Sequence, residues 1–298
     1  MNVLFTEAPR NAATWAYLLS TANIPVLQRT IEELARLRQD EDKLTARDIS
    51  RVLLHDPLFT LRVLQYLQAH RRPTQVTDIT TVEHALMMLG VTPFFAHFAN
   101  LPSIENDLAE HPQALTGLMN VMNRAHRAAL YAHDWAAVRH DLRADEVAIA
   151  ALLHDLSEML LWCFAPELAL RIQAMLLNDT ALRSRDAQQT VLGFKLSDLQ
   201  TALMLEWKLA AMLQALMDDK HATHARQMNV VVAVNLARHS DSSWDNPALP
   251  DDYAAVEKFL KLPVEEVIER IQRVSLQAGN SCDWYHMEKP QAPPGQEG

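Results

Sequence analysis

The sequence has 298 residues, 49% of them hydrophobic, and this length and composition exclude wholesale disorder and allow a substantial buried core. It contains only six glycines and five tyrosines, which argues against a β-rich fold and favours helices. A formal net charge of −10 gives no general attraction to nucleic acids or anionic lipids, so we do not expect a nucleic-acid partner.

The N-terminal residues lack the pattern of a secretory signal, because Glu7 comes early and no long apolar core follows a basic head. Nowhere does the sequence approach the ~20 charge-free apolar residues that a membrane-spanning helix requires. The two cysteines, Cys163 and Cys282, are far apart and by themselves make neither a disulfide framework nor a zinc site. We therefore expect a protein of the reducing cytoplasm without a membrane segment.

The chain up to about residue 110 has the periodicity of helices. Thr45 is predicted to cap one helix, with Asp48 answering from the third position, and this helix should end before Pro57. Asp56 and Pro57 then predict the cap and the first position of the next helix. Before these, an amphipathic helix is predicted from apolar residues at spacings of four and three: Leu27, Ile31, Leu34 and Leu37.

A polar loop is predicted over 70–80, and a short helix with the sequence TVEHALMMLG follows it and ends at Gly90. Pro93 predicts the start of another helix, and 101–113 has the caps and prolines of a junction. We find no convincing strand, no repeat and no glycine-rich phosphate loop in the sequence.

The second half contains one long predicted helix over about 114–139 and an apolar stretch over 145–164. A helix that is apolar on nearly all sides lies among other helices in a core. The fold class is therefore all-α, with a multi-helical N-terminal bundle packed on a second helical bundle. Further helices are predicted over 166–178, 197–218, 225–239, 251–260 and 263–278.

We expect four regions along the chain. Residues 1–110 form the N-terminal helical part, 111–245 the second helical part, and 246–280 C-terminal helices that pack on the core. Residues 281–298 end in KPQAPPGQEG, which cannot bury much surface, so they are predicted to form a flexible tail.

His154 and Asp155 have the clearest chemical content, because they stand side by side in the apolar stretch 145–164. Burying both is costly unless their polar atoms have partners. One interpretation is a divalent metal site, since imidazole and carboxylate groups bind zinc, iron or manganese. The other is a pair of satisfied polar groups that ties helices together. His126 lies 28 positions upstream, where two antiparallel helices would bring it close to this pair.

His126, followed by ALLHDLSEML at 151–160, resembles the signature of the HD-superfamily phosphohydrolases. Those enzymes bind one or two metals through His, His-Asp and a later Asp, and they hydrolyse phosphate esters. The wider pattern is closer to the HDOD domain, a branch of this superfamily generally regarded as lacking catalysis. Its hallmarks stand in the family's order and cover about residues 20–240: HDPLFTLRVLQYL (55–67), ITTVEHALMMLG (79–90), ALLHDLSEMLL (151–161) and LQTALMLEWKL (199–209).

The sequence departs from the enzymes at the fourth metal ligand, which the resemblance implies to be an Asp on a late helix. The best match is VNLARHS (234–240), where Arg238 stands in place of that Asp. A fixed cation at this position repels a divalent metal and removes one donor. Asp241 is three residues further on and could substitute only with a shifted geometry.

Other positions that the resemblance implies for the site also differ. The glycine that usually follows the HD pair is Ser157 here. The histidine often seen before LQTALMLEWKL is Lys195, and the paired histidines expected beyond that segment read Asp219-Lys220-His221. Too few parts of a phosphohydrolase site therefore remain for us to expect hydrolysis.

Two weaker candidates have structural interpretations. His133 and Asp134 lie about two helical turns after His126, and such a pair is most often solvated. Met87 and Met88 suggest adaptable packing, and filling the core is the use we expect for them rather than a partner groove.

Two functions follow from these observations. The first is a non-enzymatic regulatory module that binds a protein or a small ligand in a bacterial signalling pathway, with a signalling protein as the expected partner. The alternative is a metal-dependent phosphohydrolase of nucleotides or cyclic dinucleotides. We expect the first, with no catalytic residue, metal or cofactor, and with His126, His154 and Asp155 as vestigial positions. The sequence does not identify binding residues, and it leaves a homo-oligomer open.

Overall fold

A computed structural model of the protein describes residues 4–70, 81–179, 181–241 and 243–285. Within these ranges the regular structure is helical, and an isolated β-type bridge joins Val26 and Ser103. The all-α fold class is therefore confirmed. Most of the predicted loop over 70–80, and residues 286–298 of the predicted tail, lie outside the described residues.

The helices are named here in chain order. They are α1 (Ala12–Ser20), α2 (Gln28–Arg38), α3 (Ala46–Leu53), α4 (Pro57–Ala69), α5 (Val82–Leu89), α6 (Val91–His97), α7 (Ile104–Asp107), α8 (Pro112–Val138), α9 (Ala144–Leu152), α10 (Leu156–Phe164), α11 (Pro166–Asn178), α12 (Ser184–Leu192), α13 (Leu196–Glu206), α14 (Ala211–Leu216), α15 (Ala225–His239), α16 (Leu249–Leu260) and α17 (Val264–Gly279). Short 3-10 turns cover Glu41–Lys43, Asp219–His221 and Cys282–Tyr285.

The caps predicted near the N-terminus are present. The Thr45 hydroxyl accepts a hydrogen bond from the backbone N–H of Asp48, whose carboxylate accepts one from the Thr45 N–H. Asp56 caps α4 by accepting from a backbone N–H of the first turn, and Pro57 takes the first helical position. α3 ends at Leu53, ahead of the proline, as the restriction on the residue before proline requires.

Gly90 separates α5 from α6 with a φ of 85°, a conformation that glycine adopts without a steric cost. α6 begins directly after it at Val91, two residues before the start predicted from Pro93. The proline is tolerated inside α6 because a residue in the first helical turn has no intrahelical partner for its N–H.

The prediction of one helix over 197–218 is wrong, since this segment forms α13 and α14. Lys208 between them has a φ of 50°, in the left-handed region that ends a helix. Two helices, α1 and α12, also lie where no element was predicted. α1 is capped by Asn11, whose side chain accepts a hydrogen bond from the Thr14 N–H at 2.8 Å.

The chain forms two compact units, each built from two separate segments. The first unit comprises residues 1–121 and 155–210, and the second comprises 122–154 and 211–298. The sequence predicted consecutive regions divided near residues 110 and 245. In the structure the chain passes from the first unit to the second within α8, returns after His154, and passes to the second unit again after residue 210. The units differ from consecutive regions because distant helices pack together, as α1 does with α13.

Aromatic side chains from distant parts of the sequence build the core of the first unit. Trp15 of α1 is fully buried, and its ring meets the ring of Phe194 edge-on at a centroid distance of 5.9 Å. Gly117 of α8 faces the indole of Trp162, and a Cβ at this glycine would lie 2.7 Å from the ring. A residue without a side chain is therefore needed where α8 passes the indole.

The core of the second unit surrounds α15. This helix packs against α9, α14 and α16, and α16 packs against α17. Its buried face consists largely of small and branched apolar residues: Val230, Val232, Ala233, Val234, Leu236 and Ala237. The C-terminal helices therefore belong to the same core as α15.

The stretch Ala144–Phe164 is long and apolar enough, by length and composition alone, to cross a membrane, although it is not free of charges. Within the protein, 89% of its most apolar window is buried, which is the environment of a core segment. Cys163 lies in this stretch, and burial raises the pKa of its thiol well above the usual value. The thiol is therefore protonated and unreactive at neutral pH.

Candidate functional site

His154 and Asp155 lie at a break between two helices. The prediction of one continuous helix over 145–164 is wrong, because α9 ends at Leu152, residues 153–155 form a turn, and α10 begins at Leu156. Asp155 occupies the N-cap position of α10 and its backbone carbonyl accepts from the N–H of Met159 at 3.1 Å. Ends of helices are where the backbone lacks intrahelical partners, so polar residues are accommodated there more readily than in mid-helix.

Gln200 of α13 satisfies part of the start of α10. Its buried side-chain carbonyl accepts a hydrogen bond from the Ser157 N–H at 2.8 Å, and both residues belong to the first unit. Ser157 was singled out from the sequence because it replaces a glycine, but its partner was not. The available signal was a glutamine inside the apolar hallmark LQTALMLEWKL.

The imidazole of His154 is paired with a carboxylate. Its Nε2 lies 2.8 Å from Oδ1 of Asp219, and the side chains of the two residues are 10% and 52% exposed. Asp219 opens the 3-10 turn in which the resemblance implied paired histidines. In the same turn, Nδ1 of His221 lies 2.7 Å from the carboxylate of Asp218. Histidine nitrogens in this part of the second unit therefore face acidic side chains of the same unit.

His126 is buried in α8, with 5% of the residue exposed. Its ring centroid lies 6.1 Å from that of Tyr285, in a tilted arrangement within the second unit. Across residues 4–70, 81–179, 181–241 and 243–285, no three His, Cys, Asp or Glu side chains form a group that could hold a metal ion. The expectation that no metal binds stays a prediction.

Arg127, the neighbour of His126, is the buried cation of this region. One of its terminal nitrogens donates to the carbonyl oxygen of Ala237 at 2.7 Å and to Oδ1 of Asp241 at 3.0 Å. Arg238, the residue that the sequence placed at the fourth ligand position, is exposed on α15. The carboxylate that could have replaced that ligand thus pairs with a guanidinium. Arg127 was not predicted, although an arginine on an alanine-rich apolar helix is a signal of a buried ion pair.

His133 and Asp134 have separate partners in the second unit. Asp134 is mostly buried and accepts hydrogen bonds from Arg270 and Arg273 of α17, so it is not a solvated residue as predicted. His133 is half-exposed and lies 3.4 Å from the carboxylate of Asp145, and this hydrogen bond raises the pKa of the imidazole. This pair therefore joins helices, since Asp134 connects α8 to α17 and His133 connects α8 to α9.

The two methionines of α5 do not fill the core as predicted. Met87 and Met88 are 64% and 47% exposed. Val82 and Leu86, which are four residues apart, lie on the same face of α5 and are buried. Met87 and Met88 follow Leu86 directly, so they lie on other faces of the helix.

Comparison with known proteins identifies the fold and the family. Two solved structures match most of the chain: the MmoQ response regulator of Methylococcus capsulatus str. Bath and a virulence factor of Campylobacter jejuni subsp. jejuni. The first is 18% identical, with a TM-score of 0.59 over 84% of this chain and 98% of its own. The second is 14% identical, with a TM-score of 0.68 over 90% of this chain and 98% of its own.

None of the curated proteins matches the chain. The model of the HDOD domain matches residues 24–223, which include every hallmark named above together with His126 and the His154-Asp155 pair. By this match over two-thirds of its length, the chain belongs to the HDOD domain family.

Proposed function

We propose that this chain is a non-enzymatic regulatory module of a bacterial signalling pathway and acts in the cytoplasm by binding a signalling protein. The observation that carries the proposal is the contact between His154 and Asp219 at 2.8 Å. A histidine that serves a hydrolytic metal must present a nitrogen to the ion, together with further ligands. Here one ring nitrogen meets a carboxylate at a position where the enzymes have histidine.

The charges near His126 support the same conclusion. Phosphate-ester hydrolysis requires a metal that activates water and neutralises the phosphoryl oxygens. Arg127 is already paired with Asp241, and among the described residues no three His, Cys, Asp or Glu side chains form a group that could hold a metal ion. This ion pair and the contact between His154 and Asp219 lie within the second unit, and they support a module without a hydrolytic centre.

The signalling role itself is transferred from the relatives. MmoQ is named a response regulator, and its structural match with this chain covers 98% of MmoQ and 84% of this chain. A regulatory module without a catalytic centre must transmit its signal through binding.

Metal analysis and a hydrolysis assay test the proposal. The protein is purified without chelators and analysed for zinc, iron and manganese, and it is then assayed with cyclic dinucleotides, nucleoside monophosphates and an aryl phosphate. Manganese, iron(II) or nickel is added to each assay. We expect no stoichiometric metal and no turnover above that of His154→Ala and Asp155→Ala.

Asp219→Ala tests whether the contact with Asp219 merely prevents His154 from binding a metal, or whether the metal site is absent altogether. Removing the carboxylate releases the His154 nitrogen, and we expect that neither metal binding nor turnover appears in this variant. Turnover by the wild type that disappears in both His154→Ala and Asp155→Ala would overturn the proposal in favour of a phosphohydrolase. Turnover that persists in both variants would come from a contaminant, and the proposal would then stand.

A further inference from the structure

An open cleft of about 290 Å³ lies in the first unit between α2 and the residues that end α6. Buried side chains of Leu34, Phe95 and Phe98 contribute its apolar surface. The small exposed residues Ala35 and Ala99 also line it and leave it accessible. A mainly apolar lining with a few polar groups is typical of sites for small molecules.

Arg38 is the charged residue of the lining. Its guanidinium carbon lies 5.9 Å from the ring centroid of Phe95, and this cation–π contact holds the side chain beside the cleft. Within the described part of the chain, Arg38 forms no ion pair. Asp40, the nearest acidic residue along the sequence, pairs instead with Lys43 at 3.5 Å. Because Arg38 is also exposed, its hydrogen-bond donors are accessible to a group that enters the cleft.

The volume of the cleft indicates how large a group it can accommodate. At ~30 Å³ for each water-sized group, 290 Å³ holds about ten such groups. A medium-chain or aromatic carboxylate has this size, and its apolar body and single anionic end match the lining of the cleft.

We propose that this cleft binds a small amphipathic carboxylate, with its chain or ring against Phe95 and Phe98 and its carboxylate on Arg38. The site goes beyond the regulatory role proposed above, because it takes a small-molecule ligand at residues that the H…HD pattern does not include. A free carboxylic acid of about ten non-hydrogen atoms is the occupant that the charge and volume favour.

Arg38 also has an alternative role that involves no ligand. A positive side chain in the last turn of α2 complements the negative end of the helix dipole. That role predicts no preference for an anion over a neutral molecule of the same shape. Selectivity between the two is therefore the decisive measurement.

Calorimetric titration of the full chain with octanoate and with 1-octanol tests the proposal. We expect saturable binding of octanoate at one site, about tenfold or more tighter than binding of 1-octanol. Arg38→Gln should weaken octanoate binding by about tenfold and leave the alcohol unchanged. Arg36→Gln is the matched control, because Arg36 lies on the same helix, pairs with Glu33 and does not line the cleft.

Ala99→Trp fills the cleft from an exposed position and should abolish binding of both compounds, with Ala35→Trp as a second variant if the first fails to fold. Equal affinity for acid and alcohol, no binding of either, or an unchanged affinity in Arg38→Gln would overturn the proposal. A change of molar mass in solution as the sole effect of the filling variants would also overturn it, by making the cleft an interface between copies. This outcome is independent of the metal and hydrolysis assays, so either proposal can fail alone.

Discussion

Arg127 and Asp241 are 114 positions apart in the sequence and form an ion pair at 3.0 Å in the second unit. The side chain of Arg127 is 5% exposed and that of Asp241 is 22% exposed, so the arginine is buried and its partner is mostly buried. The same guanidinium nitrogen also binds the carbonyl oxygen of Ala237. This contact therefore fixes the C-terminal end of α15 to α8.

Arg127→Ala should destabilise the protein by about 2 kcal/mol, because the Ala237 carbonyl and the Asp241 carboxylate lose charge-assisted hydrogen bonds. Urea unfolding followed by circular dichroism measures this change. Arg238→Ala, at an exposed position of α15, should cost less than about 1 kcal/mol. Equal losses in the two variants would contradict a special role for the buried arginine.

Asp56→Asn should destabilise the first unit by about 1–3 kcal/mol. The buried carboxylate accepts hydrogen bonds on both oxygens: from the Leu27 N–H at 2.8 Å and the Thr30 hydroxyl at 2.9 Å on one, and from the Phe59 N–H at 2.9 Å on the other. An amide offers a single accepting oxygen, so at least one donor loses its partner. Asp40→Asn is the surface control, with an expected change below about 0.5 kcal/mol by chemical denaturation.

The same residue predicts a pH dependence. Burial raises the pKa of Asp56 to about 6, from an ordinary value of 3.8, against the opposing effect of its hydrogen bonds. A raised pKa means that the folded state binds the proton more tightly, so this contribution to stability is complete below 3.8 and is lost as the pH rises through about 6. The unfolding free energy of the wild type minus that of Asp56→Asn should therefore be larger at about pH 4 than at about pH 7. A difference that is constant with pH would refute this prediction.

Asp155→Ala should destabilise by about 1–2 kcal/mol, because a buried carboxylate beside the positive N-terminal end of α10 is lost. Asp219→Ala should cost less than about 1 kcal/mol, since Asp219 is half-exposed and water can replace its contact with His154. Thermal unfolding of both variants checks the order. A larger loss in Asp219→Ala would show that the contact between His154 and Asp219 stabilises the fold more than Asp155 does.

Gly117→Ala should destabilise by about 1–3 kcal/mol, because its Cβ would lie 2.7 Å from the ring of Trp162. In a Trp162→Phe background the side chain has one ring instead of two. Gly117→Ala should therefore reduce the free energy of unfolding much less in that background. A double-mutant cycle measures this coupling. Additive losses would show that the alanine acts elsewhere.

The sequence predicted those features whose cause lies within a few residues. Thr45 with Asp48, and Asp56 with Pro57, were predicted correctly because a cap and the groups it binds are three residues apart or closer. The break at residues 153–155 was missed, because the apolar pattern runs on through it and only the surrounding helices distinguish a turn there from a helix.

The sequence predicted several residues of the candidate site, but not which side chains contact one another. Asp219 was recognised as a departure from the family's pattern, yet its partner His154 lies 65 positions away, beyond the reach of any local rule. Arg127 was overlooked because its partners belong to the end of α15, more than 100 positions further along. The prediction that Arg238 occupies the place of the fourth ligand remains untested.

The division of the first unit into residues 1–121 and 155–210 determines how the protein can be dissected. A fragment that stops at residue 121 lacks α13, the helix against which α1 packs, and leaves the indole of Trp15 in water. A fragment that starts at residue 122 retains α15, but it also contains residues 155–210, which belong to the core of the first unit. Neither unit can therefore be expressed as one continuous piece of the natural chain, and expression of the first unit alone would require residues 155–210 to be joined to residue 121 by an artificial linker.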